Sequence, residues 1–160
     1  MRFNLAIISF LILSCKSPEK TDENTNKIFS IVIHGGAGTI LKKNMTKEME
    51  ANYRKKLEES IKVGYQILEN GGSSQEAVEK TIHIMENSPL FNAGKGAVLN
   101  FDGRVELDAS FMDGKTLNAG AVAGVRTLKN PISAAIKVMN NSPHVFLSGQ
   151  GADQFGKEQG

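Results

Sequence analysis

Two glycine-bounded segments hold the residue types with which this chain of 160 residues could do chemistry. The first is His34-Gly35-Gly36-Ala37-Gly38, directly after the apolar run Ile28 to Ile33. Glycines at a strand end let backbone N–H groups approach a ligand or adopt positive φ, as an oxyanion or phosphate site requires. The segment is neither GxGxxG nor a Walker loop, and on residue types alone it reads either as a tight structural turn or as a ligand-binding loop. The second is Phe91-Asn92-Ala93-Gly94-Lys95-Gly96. Its asparagine can serve as a turn residue, or its amide can orient a nucleophile or donate to a substrate. Glu106 and Asp108 share one face of a strand pattern, with Asp113 beyond. That arrangement permits acid/base work, and it also suits a solvated strand face beside Arg104. His83 falls inside a helix pattern and His144 follows Ser-Pro, so no pair among the three histidines has zinc-ligand spacing. No GxSxG elbow supports a Ser/His/Asp triad.

Alternating strands and helices must position these groups. Ile28 to Ile33 predicts a buried strand that feeds the first glycine loop. From Thr46 to Asn70, Met49, Tyr53, Leu57, Ile61, Tyr65 and Leu68 fall mostly four apart, which predicts a long amphipathic helix stopped by Gly71-Gly72. Ser73 and Glu76 have capping-box spacing and open a second helix, with Ala77, Val78, Thr81, Ile82 and Met85 inward and Pro89 at its end. Ala97 to Asn100, Val105 to Met112 and Ala119 to Val125 predict a meander of short antiparallel strands, with a tight turn at Phe101-Asp102-Gly103. Asn130-Pro131 supplies a cap and first position for a third helix, with Ile132, Ala135, Ile136 and Met139 as its stripe. Val145 to Leu147 is a further strand, and a last helix begins at Gly151. Its pattern breaks off at Gly160, which suggests a piece of a larger α+β unit.

Composition narrows the classes. With 19 basic and 17 acidic residues the formal charge is +2, too near neutral for nucleic-acid binding by phosphate neutralisation. A single cysteine excludes an intramolecular disulfide framework and a cysteine-based zinc cluster. Leu5 to Leu13 is too short to span a bilayer as a helix but suits the apolar core of an export signal. It runs into Ser14-Cys15, which resembles the lipobox of bacterial lipoproteins, so residues 1–15 read as a lipoprotein signal with Cys15 as the lipidated anchor. The other readings are an ordinary signal peptide or a buried helix. Residues 16–27 contain no aliphatic or aromatic side chain and read as a flexible tether, with the folded part over 28–160. The expected location is the periplasm or cell envelope, held to the membrane through the lipid alone.

Taken in order, several segments are more specific than any one of them. They are Val32-Ile33-His34-Gly35-Gly36-Ala37-Gly38, Ser88-Pro89-Leu90-Phe91-Asn92-Ala93-Gly94-Lys95-Gly96, Glu106-Leu107-Asp108-Ala109 with Met112-Asp113-Gly114, Gly120 to Val125, Asn130-Pro131-Ile132, Ser142 to Val145 and Gly149 to Ala152. This series resembles the α-subunit half of the plant-type L-asparaginase/isoaspartyl peptidase family, from about Ile31 onward.

The resemblance implies an N-terminal nucleophile hydrolase: an α+β fold built as a four-layer αββα sandwich, incomplete here, that cuts itself before a threonine. The freed Thr would use its own amine as base to attack an asparagine side-chain amide or a β-aspartyl peptide bond, with no cofactor for the catalysis. The family's nucleophile sits in a Gly-Thr-Val-Gly-like motif, which does not occur in these residues. Thr39, Thr46, Thr116 and Thr127 are internal and Cys15 would carry lipid, so none of the five serves. By position, His34, Gly35 and Gly36 support autocleavage and Asn92 holds the nucleophile. The loop from Met85 to Lys95 matches a segment that wraps a sodium ion with the main-chain carbonyls of Met85, Glu86, Ser88, Phe91, Ala93 and Lys95, a structural ion for which side-chain identity matters little. The implied partner is the β-subunit half of the same precursor, in an (αβ)2 heterotetramer, and the chain alone is expected to be inactive and poorly soluble. The alternative is an inert lipoprotein module that keeps only the α-half of the fold. A third reading, glycosylasparaginase, shares the nucleophile logic but not this run of motifs.

Overall fold

The computed structural model describes residues 28–37 and 41–160. The export signal over 1–15 with Cys15, the tether over 16–27, and Gly38 and Thr39 lie outside the described residues. Among the described residues, four α-helices and one three-stranded sheet follow in the order α1 (Lys47–Glu69), α2 (Ser74–Glu86), β1 (Leu107–Met112), β2 (Ala119–Val125), α3 (Pro131–Asn141), β3 (Phe146–Ser148) and α4 (Gly149–Glu158), with short 3-10 turns at Lys42–Asn44 and Gly94–Gly96. This is α+β. The second sheet and further helical layer of the expected αββα sandwich are not among the described residues. No helix among them is long and apolar enough to cross a membrane.

Helix ends follow from local chemistry. The Thr46 hydroxyl accepts from the Met49 N–H at 3.1 Å and starts α1, while the Gly71 and Gly72 N–H groups close its last carbonyls. The Ser73 hydroxyl accepts from the Glu76 N–H at 3.1 Å and starts α2. The buried face of α1 differs from the expected stripe, because Met49 and Tyr65 are exposed and the fully buried residues are Ser60 and Gly64. Small residues let α1 and α2 approach closely. A Cβ on Gly64 would lie 2.3 Å from the Thr81 hydroxyl oxygen, and the Ser60 hydroxyl donates to the Thr81 carbonyl at 2.8 Å. A stripe of large side chains would hold the two helices apart.

β1 and β2 pair antiparallel with a bulge between Leu107 and Ala109, and β3 joins β2 in parallel. The inward residues Leu107, Val122 and Val125 meet Ala134, Ala135 and Val138 of α3 and Ala152 of α4 in the main core. Gly120 lets the backbone of β2 approach α3, since a Cβ there would lie 2.2 Å from the Ala135 carbonyl oxygen. No described residue covers the opposite face of the sheet: Met112 and Phe146 are exposed, and Ser110, Ala121 and Phe146 form one row across the three strands. Ala97 to Asn100 makes a single bridge, Leu99 with Val105, instead of a strand.

The expected strand Ile28–Ile33 makes no ladder with any described strand. Its burial alternates with a strand's period of two: Phe29, Ile31 and Ile33 are half-buried, while Ile28 and Val32 are almost fully exposed. The inward side lies along α1, with the Phe29 ring 5.0 Å from that of Tyr65 and Ile31 beside Gly64. The pattern of a half-buried strand is present, but no neighbouring strand supplies the hydrogen bonds.

Candidate functional site

Both glycine-bounded segments pack against α1, the first on Leu57 and the second on Tyr53. Gly35 packs on Leu57, with 3.3 Å between a Cβ built on the glycine and the Leu57 methyls, and Gly36 takes the left-handed region at φ 117°. The Gly36 N–H donates to His34 Nδ1 at 3.2 Å, so the histidine shapes the turn as an acceptor and presents no ligand pair. Gly35 and Gly36 face a cleft of about 410 Å³ whose other wall is Tyr53, Arg54, Glu50 and Lys42. Glu50 accepts from Arg54 at 2.8 Å and lies 3.5 Å from Lys42; the Arg54 hydrogen bond holds its carboxyl below the usual range. Tyr53 lines that cleft and also meets Phe91 edge-on, with ring centroids 5.9 Å apart at 76°. It thereby contacts the second segment and borders the cleft that the first segment faces. The sequence marks Tyr53 only as one member of a helical stripe, because its contact with Phe91 and its place at the cleft depend on loops distant in the chain.

The Asn92 loop is wound tightly after α2. Met85, Glu86, Ser88 and Phe91 are buried, whereas Asn92 and Lys95 are exposed. The Asn92 Oδ1 accepts from the Val98 N–H at 2.9 Å and closes the loop, which leaves the amide NH2 with no partner among the described residues. Gly94, at φ 49°, fits against the Glu86 carbonyl, where a Cβ would lie 2.3 Å from the oxygen. A Cβ on Gly96 would meet the carbonyl oxygens of Phe91 at 2.3 Å and Pro89 at 2.8 Å. Main-chain carbonyls thus crowd around two glycines.

Glu86 is 3% exposed, and its carboxylate turns away from this loop. Oε1 accepts from the Ile132 N–H at 3.1 Å and Oε2 from the Asn130 amide at 2.8 Å. Burial raises its pKa above the ordinary value, in opposition to those two bonds. Asn130 therefore does not cap α3 with its own side chain, as Asn130-Pro131 suggested; Glu86 caps it from α2. The sequence held no local sign of this, since the two residues are 44 positions apart.

The other candidate groups are engaged in the fold. Glu106 pairs with Arg126, not Arg104, and that hydrogen bond together with one from Asn100 lowers its pKa. Asp108 accepts from the Gly124 N–H at 2.8 Å across the bulge. Asp113 binds the Thr116 hydroxyl at 2.6 Å within the β1–β2 turn, so the three carboxylates form no acid/base pair. The Thr127 hydroxyl donates to Asp153 at 2.9 Å, and Thr46 caps α1. His83 Nε2 lies 2.7 Å from the Ser133 hydroxyl, which donates to Glu79 at 2.6 Å, and burial lowers the pKa of the imidazole. That network ties α2 to α3. Among the described residues no group of three or more His, Cys, Asp or Glu is placed to hold a metal.

Comparison with known proteins gives one consistent result. The family model described as asparaginase matches residues 27–160. An isoaspartyl peptidase of Salmonella typhimurium is 48% identical over 130 residues, which is 81% of this chain and 42% of that protein. A plant-type L-asparaginase of Pyrococcus furiosus is 47% identical over 131 residues, covering 82% of this chain and 41% of the relative. An isoaspartyl peptidase/L-asparaginase of Mus musculus is 45% identical over 130 residues, covering 81% and 39%. The chain spans about two fifths of the length of the curated relatives it matches.

Proposed function

The chain belongs to the asparaginase family, and on that premise we propose that it is the first part of an isoaspartyl peptidase/L-asparaginase whose catalytic threonine is carried on residues beyond Gly160. The observation that carries this reading is the family match over residues 27–160, joined to relatives named isoaspartyl peptidase and plant-type L-asparaginase that are more than twice as long as the matched stretch.

The chemistry proposed is acyl transfer. The precursor cuts itself before a threonine, and the freed α-amine takes the proton from that residue's hydroxyl as its oxygen attacks the side-chain carbonyl of asparagine or of a β-aspartyl peptide. Ammonia or the peptide amine leaves with a proton, and water then hydrolyses the ester to release aspartate and regenerate threonine. This chain's residues contribute position. The amide NH2 of Asn92, which has no partner among the described residues, is a donor suited to holding the threonine. The turn at His34, Gly35 and Gly36, shaped by the histidine nitrogen, lies near the bond to be cut. The sheet face bearing Met112 and Phe146, which no described residue covers, suits burial under the remaining part of the precursor, in an (αβ)2 assembly.

The loop after α2 fits a sodium ion. Its crowded carbonyls and the two glycine positions that a Cβ would fill suit a hard cation held by oxygen, and the Glu86 carboxylate is turned elsewhere. The carbonyls of Met85, Glu86, Ser88, Phe91, Ala93 and Lys95 would hold it, and the ion would supply a fixed loop conformation. Export and anchoring through a lipid on Cys15 complete the proposal.

The test is release of aspartate from L-asparagine and from β-aspartyl dipeptides. It is measured for the 160-residue chain and for the full product of its gene. Release by the full product, lost when the proposed threonine is replaced by alanine, supports the reading. No release by either defeats it in favour of an inert lipoprotein module.

A further inference from the structure

The buried Glu86 performs two tasks at once. Its carboxylate bonds the Ile132 N–H and the Asn130 amide at the start of α3, and its main-chain carbonyl is interlocked with Gly94. Among the described residues, the only side-chain hydrogen bonds that leave segment 86–98 for another element are these two from Glu86. The loop's other side-chain bonds, Ser88 with Leu90 and Asn92 with Val98, are internal. Packing alone does not account for a carboxylate here, because burying a charged group is costly unless donors compensate. The N–H groups and positive end of α3 provide that compensation. The carboxylate's attachment to α3 therefore fixes the Glu86 backbone, and Gly94 against that backbone fixes the loop that presents Asn92.

We infer that Glu86 is a positioning residue that sets the orientation of Asn92 by clamping the Asn87–Gly96 loop to the N-terminus of α3. The inference rests on the reading of Asn92 as the residue that holds the nucleophile, but its test does not use activity.

The test is amide hydrogen exchange on the full product of the gene, resolved at Ile132 and at Val98, whose N–H directly reports the bond to Asn92. Glu86→Ala is expected to speed exchange at both amides on the order of tenfold. Glu86→Gln is expected to restore both, since its amide oxygen can accept from Ile132 and its NH2 can donate to an Asn130 amide turned over. Asn130→Ala removes one of the two bonds and is expected to give a smaller rise at both positions. It decides the matter if Glu86→Ala does not fold. Faster exchange at Ile132 with Val98 unchanged would reduce Glu86 to a helix cap and overturn the inference. A Gln variant that exchanges as fast as the Ala variant would overturn it as well. Absence of hydrolysis by the full gene product would instead sink the enzymatic reading and leave the exchange result standing.

Discussion

Gly120→Ala is the most informative single change, because it adds one methyl where two backbones meet. The new Cβ would lie 2.2 Å from the Ala135 carbonyl oxygen, 2.5 Å from the Met139 nitrogen and 2.9 Å from the Met139 Cβ. Ordinary contact begins at 3.4 Å, and the two nearest atoms are main chain, so no rotamer change relieves the overlap. Helix α3 would have to withdraw by about 1 Å, a gap that forfeits a quarter to a half of each contact's attraction. Those contacts include Ala134, Ala135 and Val138 against Leu107, Val122 and Val125, in the centre of the core. We expect a loss of about 3 kcal/mol, the upper part of the usual range for overpacking, and a fall on the order of a hundredfold in the folded-to-unfolded ratio. Urea denaturation of the chain in dilute solution, followed by far-ultraviolet circular dichroism, measures it. Gly151→Ala is the control. That glycine is exposed within α4, a Cβ there has nothing within 4 Å, and the change should stabilise by about 0.5 kcal/mol. A Gly120→Ala variant within about 0.5 kcal/mol of wild type, the spread of neutral surface changes, would refute the argument from close approach.

Three further outcomes follow from side-chain chemistry. Burial raises the Asp153 pKa, but bonds from the Thr127 and Arg126 N–H groups and the Thr127 hydroxyl outweigh it and hold the carboxyl below its ordinary value. Its stabilising contribution is therefore full above about pH 4 and is lost as pH falls through the lowered native value. Asp153→Asn should cost about 2 kcal/mol at pH 7 and flatten this acid limb, as read by urea midpoints from pH 7 to pH 2. Thr81→Val should stabilise by about 1 kcal/mol in the same titration, since the Thr81 hydroxyl oxygen is buried without a partner among the described residues; destabilisation would show that the oxygen is satisfied. Leu117 is exposed at φ 63°, so Leu117→Asn should raise stability by about 0.5 kcal/mol, and a loss would show that the leucine side chain is packed.

Much of the local structure was legible. Thr46, Ser73 and the glycines after Asn70 mark helix ends with their own atoms, so α1 and α2 fall within a residue or two of expectation. The expected strands Val105 to Met112 and Ala119 to Val125 likewise match β1, which starts two residues later at Leu107, and β2. The α1 stripe was misjudged at Met49 and Tyr65, because the contact with α2 is made by Ser60 and Gly64, which hydrophobicity does not flag. Ile28 to Ile33 carries a strand's alternation without a ladder, since hydrogen-bonded pairing depends on a neighbour and not on the run itself. In the candidate site, His34, Gly35, Gly36 and Asn92 stood out as residue types, while Tyr53 did not.

The sequence by itself determined which family the residues join, where helices start and stop, and which strand faces turn inward, because each depends on order, local capping or a fixed period. Only the tertiary structure decided that Tyr53 meets Phe91 beside the cleft that Gly35 and Gly36 face, and that Glu86, rather than Asn130, caps α3. It alone placed Asp153 against the turn after β2. These roles belong to groups tens of residues apart, whose ring contacts and hydrogen bonds exist only once packing brings distant side chains, donors and buried acceptors together.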